Sequence, residues 1–283
     1  MRRITLIHLT ALLSSILVFN GCFGIPHTHQ ARHEPPVDTK TLEHMPESWE
    51  KLLETEPAAI ARNQIRDDID TLRQLGTPDA VAAAYLGAAF LLEDDALAET
   101  LRDRLLALDP GHETAEAIAK AALDAIMIER DIPVRLEKIA EFQMTFPASR
   151  HLAHCISVEL STLAQSHRTE ALAERAAHWE AAFPEDPRVL RAAAESLLDA
   201  DVSPEHALEL AHRALALELS GVAPFPDPDE TVTARRERDT RYRLTLIRAL
   251  IRLKLLDGAR AVCKEALAHV PNNDAGLVSA LNR

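Results

Sequence analysis

The chain has 283 residues, 27% of them charged, and a formal net charge of −13. Such acidity argues against nonspecific binding to nucleic acid or anionic lipid headgroups, and with aromatic residues at 4% there are few platforms for base stacking. Three cysteines make no disulfide framework, and no Gly-rich phosphate loop, GxSxG or dinucleotide fingerprint occurs.

The amino terminus reads MRRITLIHLTALLSSILVFNGC. Arg2 and Arg3 supply a short positive region and Ile4 to Phe19 a mostly apolar run, the layout of an export signal. The stretch LVFNGC resembles the lipobox of bacterial lipoproteins, with Gly21 before Cys22, although Phe19 stands where that family has Leu. The resemblance implies a signal over 1–21 and a lipidated Cys22 as the first mature residue. It also implies a membrane address on the periplasmic side. Phe23 and Gly24, in place of Asp, favour the outer membrane. An ordinarily cleaved signal and an uncleaved anchor are the alternatives.

Residues 22–57 read as a flexible tether. They carry several prolines and His27, His29, His33 and His44, with little periodic apolar character. Trp49, Leu52 and Leu53 mark where the chain would first dock on a folded part.

From residue 58 onward the pattern is helical. Ala, Leu, Glu and Arg dominate, all good helix formers. Breakers recur at Thr77-Pro78, Asp109-Pro110-Gly111, Phe146-Pro147, Phe183-Pro184 and Ser203-Pro204. Pro110, Pro147 and Pro184 stand 37 residues apart, and one more step reaches Gly221. Two helical stretches fill each interval: 79–91 with 95–108, 112–130 with 133–146, 149–165 with 168–182, and 187–199 with 204–219. Leu97, Leu101, Leu105 and Leu108 form one apolar stripe, as do Leu208, Ala211, Leu215 and Leu219. A single helix pair cannot bury such a stripe alone, whereas stacked pairs can.

In GARAVCKEALAHVPNND, Ala259, Ala266 and Pro271 stand at the small and turn positions of the tetratricopeptide repeat, and Leu246 and Leu250 suit its first helix. The turn after Leu108, LDPGH, resembles the turn of that family. The resemblance covers about 79–271. It implies an all-α fold, a right-handed solenoid of antiparallel helix pairs, within a repeat domain at 58–283. An insertion at about 222–240, GVAPFPDPDETVTARRERD, breaks the period, and a long helix is expected at about 232–256. Phe225 between two prolines is either an exposed contact or a cover for the array. The last piece, AGLVSALNR, is short enough to be a capping half-unit.

Catalytic groups are not evident, and no cofactor is expected. Asp67, Asp68, Asp70 and the Glu93-Asp94-Asp95 run read as solvated faces or turns. His151 and His154 share a helix side but lack a third ligand at metal spacing, so no metal is expected. Cys155 and Cys263 lie in apolar helical patterns and read as packing residues. A helix-pair array instead offers rows of side chains from successive first helices. Tyr85, Glu159, Arg191, Tyr242 and Arg243 are the candidates for partner contact there, with Phe225 at the insertion. The segment EFQMTFPASRHLA resembles repeats of outer-membrane assembly lipoproteins. The expectation is therefore a non-catalytic scaffold, tethered through Cys22, that binds a protein partner in the bacterial cell envelope. A solute-binding accessory component of a transporter, with a small-molecule ligand, is the alternative, and an enzyme built on His151, His154 and an acid is the third.

Overall fold

The computed structural model describes residues 46–221 and 231–269. Among them the chain is all helix, with no strand. Helices α1 (Glu47–Thr55) and α2 (Ala58–Leu75) lead into α3 (Pro78–Leu86), which runs straight into a π-helical segment, Gly87–Leu92. There follow α4 (Asp95–Leu108), α5 (Glu113–Ile128), α6 (Ile132–Thr145), α7 (Leu152–Gln165), α8 (Thr169–Ala182), α9 (Pro187–Asp199), α10 (Pro204–Ser220), α11 (Val232–Arg252) and α12 (Leu256–His269).

Local chemistry sets these bounds. Thr77, Asp94, Asp131, Asp186 and Thr231 each turn a side-chain oxygen back to accept from a backbone N–H in the first turn of α3, α4, α6, α9 and α11. Proline follows at the start of α3, α6 and α9, where its missing N–H costs nothing. Asp109, Phe146 and Phe183 each precede a proline and have left the helical region, so α4, α6 and α8 stop there.

Those three helices are copies in register. They begin at Asp95, Ile132 and Thr169, 37 residues apart, and each runs 14 residues. Leu105, Phe142 and Trp179 occupy one equivalent position and all three are buried. Cross-helix ties recur with the same shift to within one residue. Asp79 meets His112 at 3.1 Å, and 37 residues on Ser149 Oγ donates to Glu116 at 2.8 Å. Arg175 donates to Gln143 at 3.1 Å, and Arg213 donates to Glu180, displaced by 38 and 37 residues respectively.

Each helix packs on its neighbours in sequence, and α9 also packs on α7 and on α11. Helix α9 therefore touches α7, α8, α10 and α11, which explains why Val189, Leu190, Ala192, Ala193, Ala194, Leu197 and Leu198 are all buried. Its alanines let neighbouring backbones come close. One apolar core runs through the helices from Trp49 to Ala259.

Two expected boundaries change. Residues 47–55 of the expected tether form α1, because Trp49 is 1% exposed and its Nε1 donates to Asp68 at 2.9 Å. Asp68 is thus a tie between α1 and α2, not simply a solvated acid. Residues 232–240 of the expected insertion are the first turns of α11, which ends at Arg252 because Lys254 adopts φ 60°. The signal, Cys22, Phe225 and AGLVSALNR lie outside the described residues.

Candidate functional site

Two of the expected contact residues, Arg191 and Tyr242, meet where α9 and α11 pack, and a third, Arg243, is turned to α12. Arg191 and Glu195 sit one turn apart on α9 and pair at 2.7 Å. From α11, Tyr242 places its ring beneath the Arg191 guanidinium, 5.3 Å from centroid to carbon. Thr245 Oγ1 donates to Glu195 at 2.7 Å. Arg243 pairs with Asp239 one turn back and with Glu265 of α12 at 3.3 Å.

This corner is buried more deeply than a display surface. Tyr242 is 1% exposed and Arg243 3%, leaving Arg191 as the partly open member. Burial, with the Glu218 charge second, pushes the Tyr242 phenol up to about 12, so the ring stays neutral. Among the described residues, Arg243 Nε and one Asp239 oxygen have no hydrogen-bond partner. An orphaned buried polar atom costs on the order of 1–3 kcal/mol. The corner is thus a polar joint of uneven strength between helices, and not an open row of contacts.

Glu159 is also buried, at the centre of a satisfied cluster. Its carboxylate accepts from Arg175 Nε at 2.6 Å, Arg175 Nη2 at 3.1 Å, Gln143 Nε2 at 2.8 Å and Trp179 Nε1 at 2.8 Å. The Arg175 guanidinium also lies 4.8 Å from the Trp179 ring centroid. One acid of α7 thereby fastens α6 and α8. Sequence reasoning singled out Glu159 but not its donors; Arg175 and Trp179 at i, i+4 on α8 were the available signal. Beside it, burial and then Glu159 push the Cys155 thiol up to about 12, which leaves this cysteine an inert packing residue. Tyr85 is fully buried in α3.

A third cluster lies at the turn before α7. Glu116, 5% exposed, accepts from Ser149 Oγ at 2.8 Å and from Arg150 N at 3.0 Å, with His151 Nε2 3.7 Å away. His151 N donates to Ser149 Oγ at 3.1 Å, while the serine proton goes to the carboxylate and not to imidazole. His154, one turn on, is exposed. Among the described residues no three metal-ligating side chains converge.

His151 gives a pH dependence. Burial lowers its pKa from the ordinary 6.5, against the upward pull of Glu116, while Arg150, His154 and Lys120 add to the lowering. The folded chain therefore favours neutral imidazole. The stability it contributes is full above the ordinary histidine range and falls as pH drops below it. Urea midpoints between pH 7.5 and 5.5 are expected to fall more steeply for the native chain than for His151→Gln. Equal slopes would rule this out.

Two apolar grooves open on the surface. One, of about 300 Å³, is lined by Leu106, Pro110, Met144, Phe146 and Pro147, at the ends of α4 and α6. Met144 at its rim is 77% exposed. The other, of about 410 Å³, is lined by Ile251, Leu256, Ala259, Cys263 and Leu267, with Arg260 and Lys264 beside them. No described helix is long and apolar enough to cross a membrane. Comparison with protein-family models, with curated proteins and with solved structures matches none of them.

Proposed function

We propose that the chain is a scaffold of the bacterial cell envelope: a right-handed solenoid of antiparallel helix pairs, tethered by lipid at Cys22, that holds a protein partner. The observation that carries the reading is the recurrence of side-chain ties at a shift of 37 or 38 residues, 79–112 onto 116–149 and 143–175 onto 180–213. A compact bundle has no reason to repeat a cross-helix tie at nearly the same displacement. An array built by translating one helix pair does so by construction. Beyond the inserted stretch α9 and the turn after it are tied to α11 as well: Thr245 to Glu195, Arg248 to Asp199 and Arg252 to Asp201.

An array of this kind presents edges, and its most exposed apolar groove rim here is Met144. A partner side chain entering beside Phe146 and Pro147 would cover apolar surface that the chain leaves to water. The lipid address rests on the Arg2-Arg3 signal and Gly21-Cys22. Replacing Met144 with a photoreactive amino acid and irradiating intact bacteria tests both parts. One discrete protein adduct in the membrane fraction is expected, moving to the soluble fraction in Cys22→Ala. An absence of adduct at 144 would refute the docking edge, and an unchanged fraction would refute the tether.

A further inference from the structure

The groove of about 300 Å³ has one wall that is fastened from behind. Phe146, Pro147, Ala148 and Ser149 line it in succession, along the turn between α6 and α7. At one end of this wall the Phe146 ring rests on Phe142 of α6, with centroids 5.1 Å apart. At the other end Ser149 Oγ donates to Glu116 Oε2 of α5 at 2.8 Å, and both residues are 5% exposed. His151, two residues on, brings its Nε2 to 3.7 Å from that same oxygen, and this nitrogen is buried without a hydrogen-bond partner. Two groups thus face one oxygen, and the serine holds it.

We infer that a proton on His151 moves Glu116 Oε2 from Ser149 to the imidazole, so that acid frees the groove wall and weakens docking at Met144. The neutral ring can leave Nε2 without a proton and so without need of a partner; an imidazolium carries N–H on both nitrogens and cannot. Lys120 of α5, Arg150 beside the ring and His154 one turn along α7 are the other titratable groups that face it, and each is a cation when protonated. Glu116 is therefore the acceptor within reach. A charge-assisted bond of about 2.8 Å is stronger than one from a neutral hydroxyl, so closing the 3.7 Å gap displaces the serine. Arg150 N keeps the second carboxylate oxygen at 3.0 Å, and the turn shifts without leaving α5. Because burial lowers the histidine pKa, ahead of the opposing pull of Glu116, the exchange falls below the ordinary 6.5. The inference rests on the proposed docking at Met144.

Envelopes from cells carrying the photoreactive residue in place of Met144 are irradiated at pH 7.5 and 5.0. About threefold less adduct is expected at the lower pH with an otherwise native chain, and no change with His151→Gln. Ser149→Ala, which removes the fastening and keeps the histidine, should give the low yield at both pH values. The same pH dependence with and without His151→Gln would overturn the inference, as would a Ser149→Ala chain that keeps the native response. Amide and imidazole NMR of the Cys22→Ala chain follows the exchange with no partner present. The Ser149 amide is expected to titrate together with the His151 ring, and a Ser149 signal that ignores the ring would overturn the inference as well. An absence of adduct at both pH values would refute the docking reading instead, and the NMR titration then decides the exchange by itself.

Discussion

Glu159→Ala is expected to lower the unfolding free energy by about 3 kcal/mol. The substitution removes the acceptor for four donor groups of three side chains at once, on two flanking helices. Arg175 keeps 31% of its side chain in solvent and can rehydrate, which holds the loss below that of a fully buried ion pair. Trp179 Nε1 cannot, since the residue is 7% exposed, and its orphaned donor supplies much of the cost. Arg175→Met leaves the buried carboxylate without its cation, so a loss at least as large, about 3–5 kcal/mol, is expected. The combined variant Glu159→Leu, Arg175→Met, Gln143→Leu should recover part of the loss, because buried polar pairs replaced together by apolar groups are often close to neutral. Urea titration measures all three. A loss under about 1 kcal/mol for Glu159→Ala would mean that the cluster is solvated and does not fasten α6 and α8.

The contrast between Glu159 and the 37-residue period shows what the sequence made legible. Helix ends could be read because their causes are local: Asp94 and Asp131 cap from within three residues, and the prolines after Asp109, Phe146 and Phe183 forbid another turn. The buried column of Leu105, Phe142 and Trp179 follows from the same spacing. The site residues were less legible because burial depends on how each helix is rotated against its neighbours. Tyr242 and Arg243 look like exposed polar candidates in ARRERDTRYR, yet the packing of α11 on α9 and α10 encloses both. Helix α1 was hidden for a related reason. Its nine residues are too few for a periodic signal, and what holds Trp49 is a contact with a glycine dozens of residues away.

That contact gives the second large effect. A methyl group built on Gly87 would sit 2.5 Å from Trp49 Cζ3 and 2.7 Å from Cη2, with Ile69 Cδ1 at 3.1 Å. Real side-chain carbons do not approach so closely, and the indole cannot slide away without losing its hydrogen bond to Asp68. Gly87 has an ordinary helical φ of −63°, so it is glycine to admit the ring and not to permit the backbone. Trp49→Ala should cost about 3–5 kcal/mol through the cavity it leaves. Gly87→Ala should cost about 1–3 kcal/mol by overpacking, despite the better helix propensity of alanine. In both variants α1 is expected to detach, opening Lys51 to trypsin well before the rest of the chain is cut. The pair distinguishes ring contact from general damage: with Trp49 already alanine, the methyl at 87 meets open space and its propensity gain of up to about 1 kcal/mol is no longer opposed. Gly87→Ala should therefore change sign, from destabilising alone to neutral or stabilising in the Trp49→Ala background. Additive losses in that double variant would show that Gly87 serves the π-helical segment itself, and that the seat of Trp49 is elsewhere.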